Sequence, residues 1–137
     1  MPKPGDILWY KDFEFEDGSK KDKLFVVLNA VDNETPCLVL KTTSQPQRYL
    51  NSQQGCNPGK KVFFVPTKWQ SCFSKDTFIQ LPQIFEFSAA ELIRGGLHHQ
   101  IEVKNAISSD CLAQLKNCLK KFKDDISERH WNFIFKS

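Results

Sequence analysis

Residues 4–30 read PGDILWYKDFEFEDGSKKDKLFVVLNA. Ile7–Tyr10 is an apolar-aromatic run reached through Pro4-Gly5-Asp6. Phe13 and Phe15 alternate with Asp12, Glu14 and Glu16. Asp17-Gly18-Ser19 is turn punctuation, and Leu24–Leu28 is continuously apolar. Two β-type runs around a charged, glycine-containing connection predict a β-hairpin. The alternating first run predicts a strand with one wet face. The unbroken second run predicts a strand buried on both faces.

Outward from the hairpin, Cys37–Leu40 reads as a strand ending at the Thr42-Thr43-Ser44 cluster. Gln47–Lys61 is polar and turn-rich, long for a loop, and therefore a place for function or mobility. Val62–Val65 is a short strand closed by Pro66. Thr77–Gln80 is a strand cut off by Pro82, and Ile84–Phe87 continues the sheet. Ser88 with Glu91 has capping-box spacing, and Gly95-Gly96 follow, so a helix of about two turns is expected. His98–Val103 reads as a strand. Ser108-Ser109-Asp110 starts a helix over about residues 109–127. Its apolar face carries Cys111, Leu112, Leu115, Cys118, Leu119, Phe122 and Ile126. Residues 128–137 form an aromatic tail that docks on the body.

The 137 residues make one domain, 1–137, of ordinary hydrophobic content (40%) and charged content (26%). A net charge of +3 is too mild to name a partner alone. The first residues have no apolar signal-type run, and no run is long enough to span a bilayer, so a cytoplasmic protein without a membrane anchor is expected. The five cysteines are then expected as reduced thiols and small buried hydrophobes. No Cys-x-x-Cys pair exists, and neither metal nor cofactor is expected. Short strands followed by a terminal amphipathic helix give an α+β class: a strongly bent antiparallel sheet or small β-barrel with helices packed on it.

The charge distribution is uneven. From Thr35 to Lys75 there is no Asp or Glu, while Lys41, Arg48, Lys60, Lys61, Lys68 and Lys75 fall there. Tyr49, Phe63, Phe64, Trp69 and Phe73 are interleaved with them. Cations neutralise phosphates and exposed rings stack on bases. Lys41, Arg48, Tyr49, Lys60, Lys61, Lys68 and Trp69 are the candidate contacts to single-stranded RNA. The alternative is a solvated basic loop over a Phe-rich core, with at least one of Phe63 and Phe64 inside.

Gly5-Asp6-Ile7-Leu8-Trp9, Gly18-Ser19-Lys20 and Lys23-Leu24-Phe25-Val26-Val27-Leu28-Asn29 together resemble the opening of the MazF/PemK family of toxin-antitoxin ribonucleases. That opening has a Gly-Asp-Ile-aromatic strand, a Gly-Ser loop, and an Arg-Pro step into a Val/Leu strand. The resemblance implies an SH3-like barrel of the CcdB/MazF type with a C-terminal helix, a homodimer, and an acidic, largely disordered antitoxin as partner. It also implies metal-free cleavage of RNA by attack of a 2′-hydroxyl on its neighbouring phosphate.

Family chemistry carries onto Lys23, at the position of the usual arginine, and onto Thr43, by its spacing to Gln45, with Thr42 as the alternative. Leu24 replaces the family's proline. Lysine keeps the charge but loses the bidentate fork. Phe78 and Gln80 stand where some members have an arginine and an aspartate, and glutamine cannot exchange protons near neutral pH. His98 or His99 is the candidate substitute as proton shuttle, against the reading of a partly exposed structural histidine. Those departures keep two alternatives open: a catalytically degenerate binding module, and a toxin on the same fold directed at gyrase.

Overall fold

In a computed structural model describing residues 1–136, the hairpin forms as β1 (Asp6–Glu14) and β2 (Lys20–Val27). They pair antiparallel from Ile7↔Val26 to Glu14↔Lys20, with a bulge between Tyr10 and Phe13. Asp12 absorbs the bulge at φ 53°. The extra residue turns Tyr10 and Phe13 to the same face, where their rings meet edge-to-face at 5.3 Å. The expected wet face holds only in the outer half of this run, where exposed Glu14 and Glu16 alternate with half-buried Phe13 and Phe15. Ile7 and Leu8 are both buried, in different clusters, and exposure begins only at Lys11. β2 is buried on both sides, as its unbroken apolar run predicts: Val26 faces one cluster, Phe25 and Val27 the other.

The remaining strands are β3 (Cys37–Thr43), β4 (Gly55–Asn57), β5 (Val62–Val65), β6 (Thr77–Phe87) and β7 (Ile101–Ala106). They form one seven-stranded antiparallel sheet in the order β4-β5-β6-β3-β2-β1-β7. The sheet is open, with β4 and β7 as its edges. Three helices complete the α+β fold: α1 (Ala89–Leu97), α2 (Ser109–Leu119) and α3 (Glu128–Phe135).

The helices sit on opposite faces. Cys111, Leu115 and Leu119 of α2 join Ile7, Val26 and Leu38 in the larger cluster, and Ile134 of α3 joins them. Leu92 of α1 packs with Leu8, Phe25 and Val39 in the smaller one. Gly95 makes that approach possible, since a Cβ there would lie 2.6 Å from Ile101. Each helix starts at a serine whose hydroxyl accepts a backbone N–H three residues on: Ser88 from Glu91, Ser108 from Cys111, Ser127 from His130.

Several expectations change. β6 is one strand, not two. Between the pairs Leu40↔Ile84 and Thr42↔Ile79 it carries extra residues, and Pro82 lies in that bulge, where no ladder N–H is needed. β7 starts at Ile101; His98 caps α1 and His99 turns the chain at φ 54°. The long terminal helix breaks: Lys120–Asp125 is a 3-10 turn, non-helical at Phe122, and the aromatic tail is itself α3. Phe122 and Ile126 still reach the core.

The reduced-thiol expectation is corrected at two positions. Cys56 of β4 and Cys118 of α2 form a disulfide, their Cα atoms 5.5 Å apart, because β4 lies over the last turn of α2. Cys37, Cys72 and Cys111 are free, and Cys37 and Cys111 are buried. Among the described residues no helix is long and apolar enough to cross a membrane.

Candidate nucleic-acid interface

The site forms where β2, β3 and β6 lie side by side. Lys23, on β2, is half-buried, and its Nζ donates to the carbonyl of Thr42 at 3.2 Å. Its ammonium is held below the usual lysine range, first by burial and then by Lys41, Lys21 and Arg48. The backbone here thus gathers four cations that repel one another.

Thr43 ends β3. It lines a depression of about 170 Å³ with Lys23, Asp22, Ser44 and Lys75. Lys23 and Thr43 also line a neighbouring depression of about 240 Å³, with Lys21, Lys41, Arg48 and Gln80. Two of the three catalytic candidates named from sequence, Lys23 and Thr43, therefore line both depressions. Thr42 lines the first depression too, and like Thr43 it is buried, but its hydroxyl is committed to the fold, donating to the carbonyl of Leu24 at 2.8 Å. The Thr43 hydroxyl makes only a long contact, accepting from the Gln45 N–H at 3.3 Å.

Aromatic rings floor this surface. Phe15 lies under both Lys23 and Lys41, at 5.8 and 5.6 Å, and Phe85 lies under Lys41 at 5.9 Å. A third depression, of about 310 Å³, continues the groove along Tyr49, Lys60 and Lys61 and shares Lys41 and Gln80 with the second. Tyr49 rests on Phe78 at 5.2 Å, and Phe78 stacks on Phe64 at 4.6 Å. Gln80 donates from Nε2 to the Tyr49 hydroxyl at 3.0 Å, while its buried Oε1 has no partner among the described residues.

The structure thus gathers Lys23, Thr43, Lys41, Arg48, Tyr49, Lys60 and Lys61 along one groove. It does not bring Lys68 and Trp69 there. They follow β5 in a turn, and the Trp69 indole packs at 6.0 Å on the core ring of Phe63. Trp69 is therefore corrected from a stacking platform to a core-side ring. His98 and His99 lie in the exposed α1–β7 turn, His99 Nδ1 3.8 Å from Glu102. No histidine lines the three depressions described.

Sequence reasoning missed Phe15, Lys21 and Phe85. The run Lys20-Lys21-Asp22-Lys23 held a signal for Lys21. Phe15 and Phe85 carried none, since only strand packing brings them beneath the lysines.

Chemically, the groove offers an anion several fixed cations, a hydroxyl with spare donor capacity, and flat ring surfaces. Asp22 and Asp17 are the carboxylates at its rim; Asp17 is held below the usual range, foremost by the Ser19 hydroxyl. No protein-family model matches the chain, and no curated protein matches it.

Proposed function

We propose that the groove binds single-stranded RNA and that the chain is a metal-free endoribonuclease of the MazF/PemK toxin type, its open sheet a variant of that SH3-like barrel. The observation that supports this reading best is the adjacency of Lys23 and Thr43 in a cation-lined groove. In this reading the 2′-hydroxyl loses its proton to Asp22 at the rim and attacks the phosphorus. The Lys23 ammonium and the Thr43 hydroxyl stabilise the charged phosphorane. The bond to the 5′-oxygen breaks, and that oxygen leaves with a proton from Lys23, whose lowered pKa makes it a readier acid than an ordinary lysine. The products are a 2′,3′-cyclic phosphate and a free 5′-hydroxyl. Lys41, Arg48, Lys60 and Lys61 hold flanking phosphates, and Tyr49 stacks on a base.

A second reading has its own support. Phe78 is buried between Tyr49 and Phe64, and Gln80 is neutral, so the positions charged in some family members carry no proton chemistry here. A groove that binds RNA without cutting it fits those residues.

The proposal extends to partners and place: an acidic antitoxin peptide that neutralises the same cations, a cytosolic location, and pairing of two copies through β7. That edge borders an apolar groove where Met1, Ile93, Leu97 and Val103 are exposed. Glu102 and Lys104 flank Val103, so antiparallel pairing of two copies about Val103 sets each Glu102 opposite a Lys104.

The deciding experiment is incubation of a long single-stranded RNA with purified protein in EDTA, beside Lys23→Ala and Thr43→Ala. Discrete fragments with cyclic phosphate ends, absent for both variants, are the expected outcome. Intact RNA that still shifts on a gel in a salt-sensitive way leaves the binding reading. Intact, unshifted RNA with damaged DNA in expressing cells would point to gyrase.

A further inference from the structure

Residues 44–61 carry Arg48, Tyr49, Lys60 and Lys61, four of the residues that line the groove. Besides the disulfide, this segment's anchors to the rest of the chain are few: β4 pairs with β5 through three residues, the Lys61 carbonyl accepts from the Leu81 N–H, and Tyr49 rests on Phe78 and accepts from Gln80. Gly55 is its one buried residue. Its single strand, β4, is three residues long and lies at the sheet edge. Its other side-chain hydrogen bonds run within itself: Asn57 Nδ2 to the Gln53 and Gly55 carbonyls, the Ser52 hydroxyl to the Tyr49 carbonyl, Lys60 Nζ to the Leu50 carbonyl. Cys56 is the one side chain of the segment that joins the main core, through its bond to Cys118.

We propose that the Cys56–Cys118 disulfide is a reversible redox clamp on the groove: oxidised, it fixes the cationic wall for RNA, and reduced, it releases residues 44–61 and weakens binding. The inference rests on the RNA-groove reading. It rests also on the proposed cytosolic location, where disulfides are as a rule redox-sensing rather than permanent. The sulfurs are unequally reachable, since Cys56 is half-buried and Cys118 is 1% exposed.

A small or protein dithiol attacks the Cys56 sulfur as thiolate. The S–S bond breaks, and Cys118 leaves as a thiolate that takes up a proton. The second thiol of the reductant then displaces Cys56 and closes its own disulfide, so two electrons and two protons pass to the protein. The neighbouring thiols do not compete. Cys111 is buried, its thiol pushed up to about 12 by burial, and burial raises Cys72 as well.

The test reads the segment and the ligand separately. Oxidised protein, protein held in excess dithiol, Cys118→Ser and Cys72→Ser are each digested briefly with trypsin, and the cuts are mapped by mass spectrometry. Each is also titrated with a fluorescent 2′-O-methyl RNA, which cannot be cleaved by 2′-hydroxyl attack. Reduction and Cys118→Ser should both speed cutting after Arg48, Lys60 and Lys61 and leave other sites protected. Both should weaken binding about tenfold, as three groove cations lose their fixed positions. Cys72→Ser should behave as the parent chain.

Equal cutting in the two redox states, or equal affinity, overturns the clamp, and so do cuts throughout the chain, which would mean global unfolding. Redox-dependent cutting with no RNA bound in either state supports release of the segment while removing the RNA reading.

Discussion

Lys23 concentrates the tension of the site in one residue. It sits half-buried among Lys21, Lys41 and Arg48, and no carboxylate pairs with it within salt-bridge distance among the described residues. Its folded pKa is lowered, so the unfolded chain holds that proton more tightly than the folded one. The charge therefore destabilises the fold at neutral pH, and the penalty shrinks as pH rises through the folded pKa toward the ordinary lysine value. Lys23→Met should raise the thermal midpoint at neutral pH, with the gain in stability fading at alkaline pH, and on the proposed ribonuclease reading it should abolish RNA cleavage. A midpoint that falls at neutral pH would contradict this. Asn29 is the opposite case, a polar side chain used wholly for structure. Buried just past the end of β2, it donates from Nδ2 to the carbonyls of Ala30 and Pro36 and accepts the Leu38 N–H. Asn29→Ala leaves those groups unpartnered and should lower stability by about 2 kcal/mol, measured by urea unfolding.

Among the elements, α3 is held by a few identifiable contacts. Ile134 inserts into the main core, and Trp131 meets Phe135 with ring centroids 4.2 Å apart. On its exposed side, Glu86 of β6 takes His130 Nε2 at 2.6 Å and also Arg129. His130 first, then Arg129, hold the Glu86 carboxyl below the usual range. A depressed carboxylate contributes stability above its unfolded pKa, and that contribution is lost as pH falls through the folded pKa. Protection of the α3 amides against hydrogen exchange should therefore drop on acidification in the parent chain. In Glu86→Gln it should be lower at neutral pH and change less with acid. The helix is invisible in the sequence because Phe122 and Ile126 continue the apolar spacing of α2 through the 3-10 turn, so the break leaves no gap in the pattern. Ser127 reads as a cap only once that break is seen.

Across the molecule, the open sheet leaves two edges of different character. β4 is three residues long and carries the disulfide; β7 is longer and borders the exposed apolar groove. On the proposed pairing through β7, Val103→Lys should convert a dimer to a monomer by light scattering with the thermal midpoint of the monomer unit retained. A mass that does not respond would place any self-association elsewhere. The two-sided packing, α2 and α3 on one face and α1 on the other, leaves the groove on the β2–β3–β6 surface, beside the helices rather than between them.

Local sequence was enough for the hairpin, the double burial of β2, the serine starts of α1 and α2, and the α+β class. These rest on periodicity, on capping chemistry and on short motifs, all near-range properties that the chain displays in order. Packing between distant segments settled the rest. It chose Cys118 as the partner of Cys56 across 62 residues of separation. It set Phe15 and Phe85 beneath the lysines, turned Trp69 inward, and moved the histidines off β7. Each of these depends on which strands become neighbours, and register between distant strands is fixed by packing that no local pattern encodes.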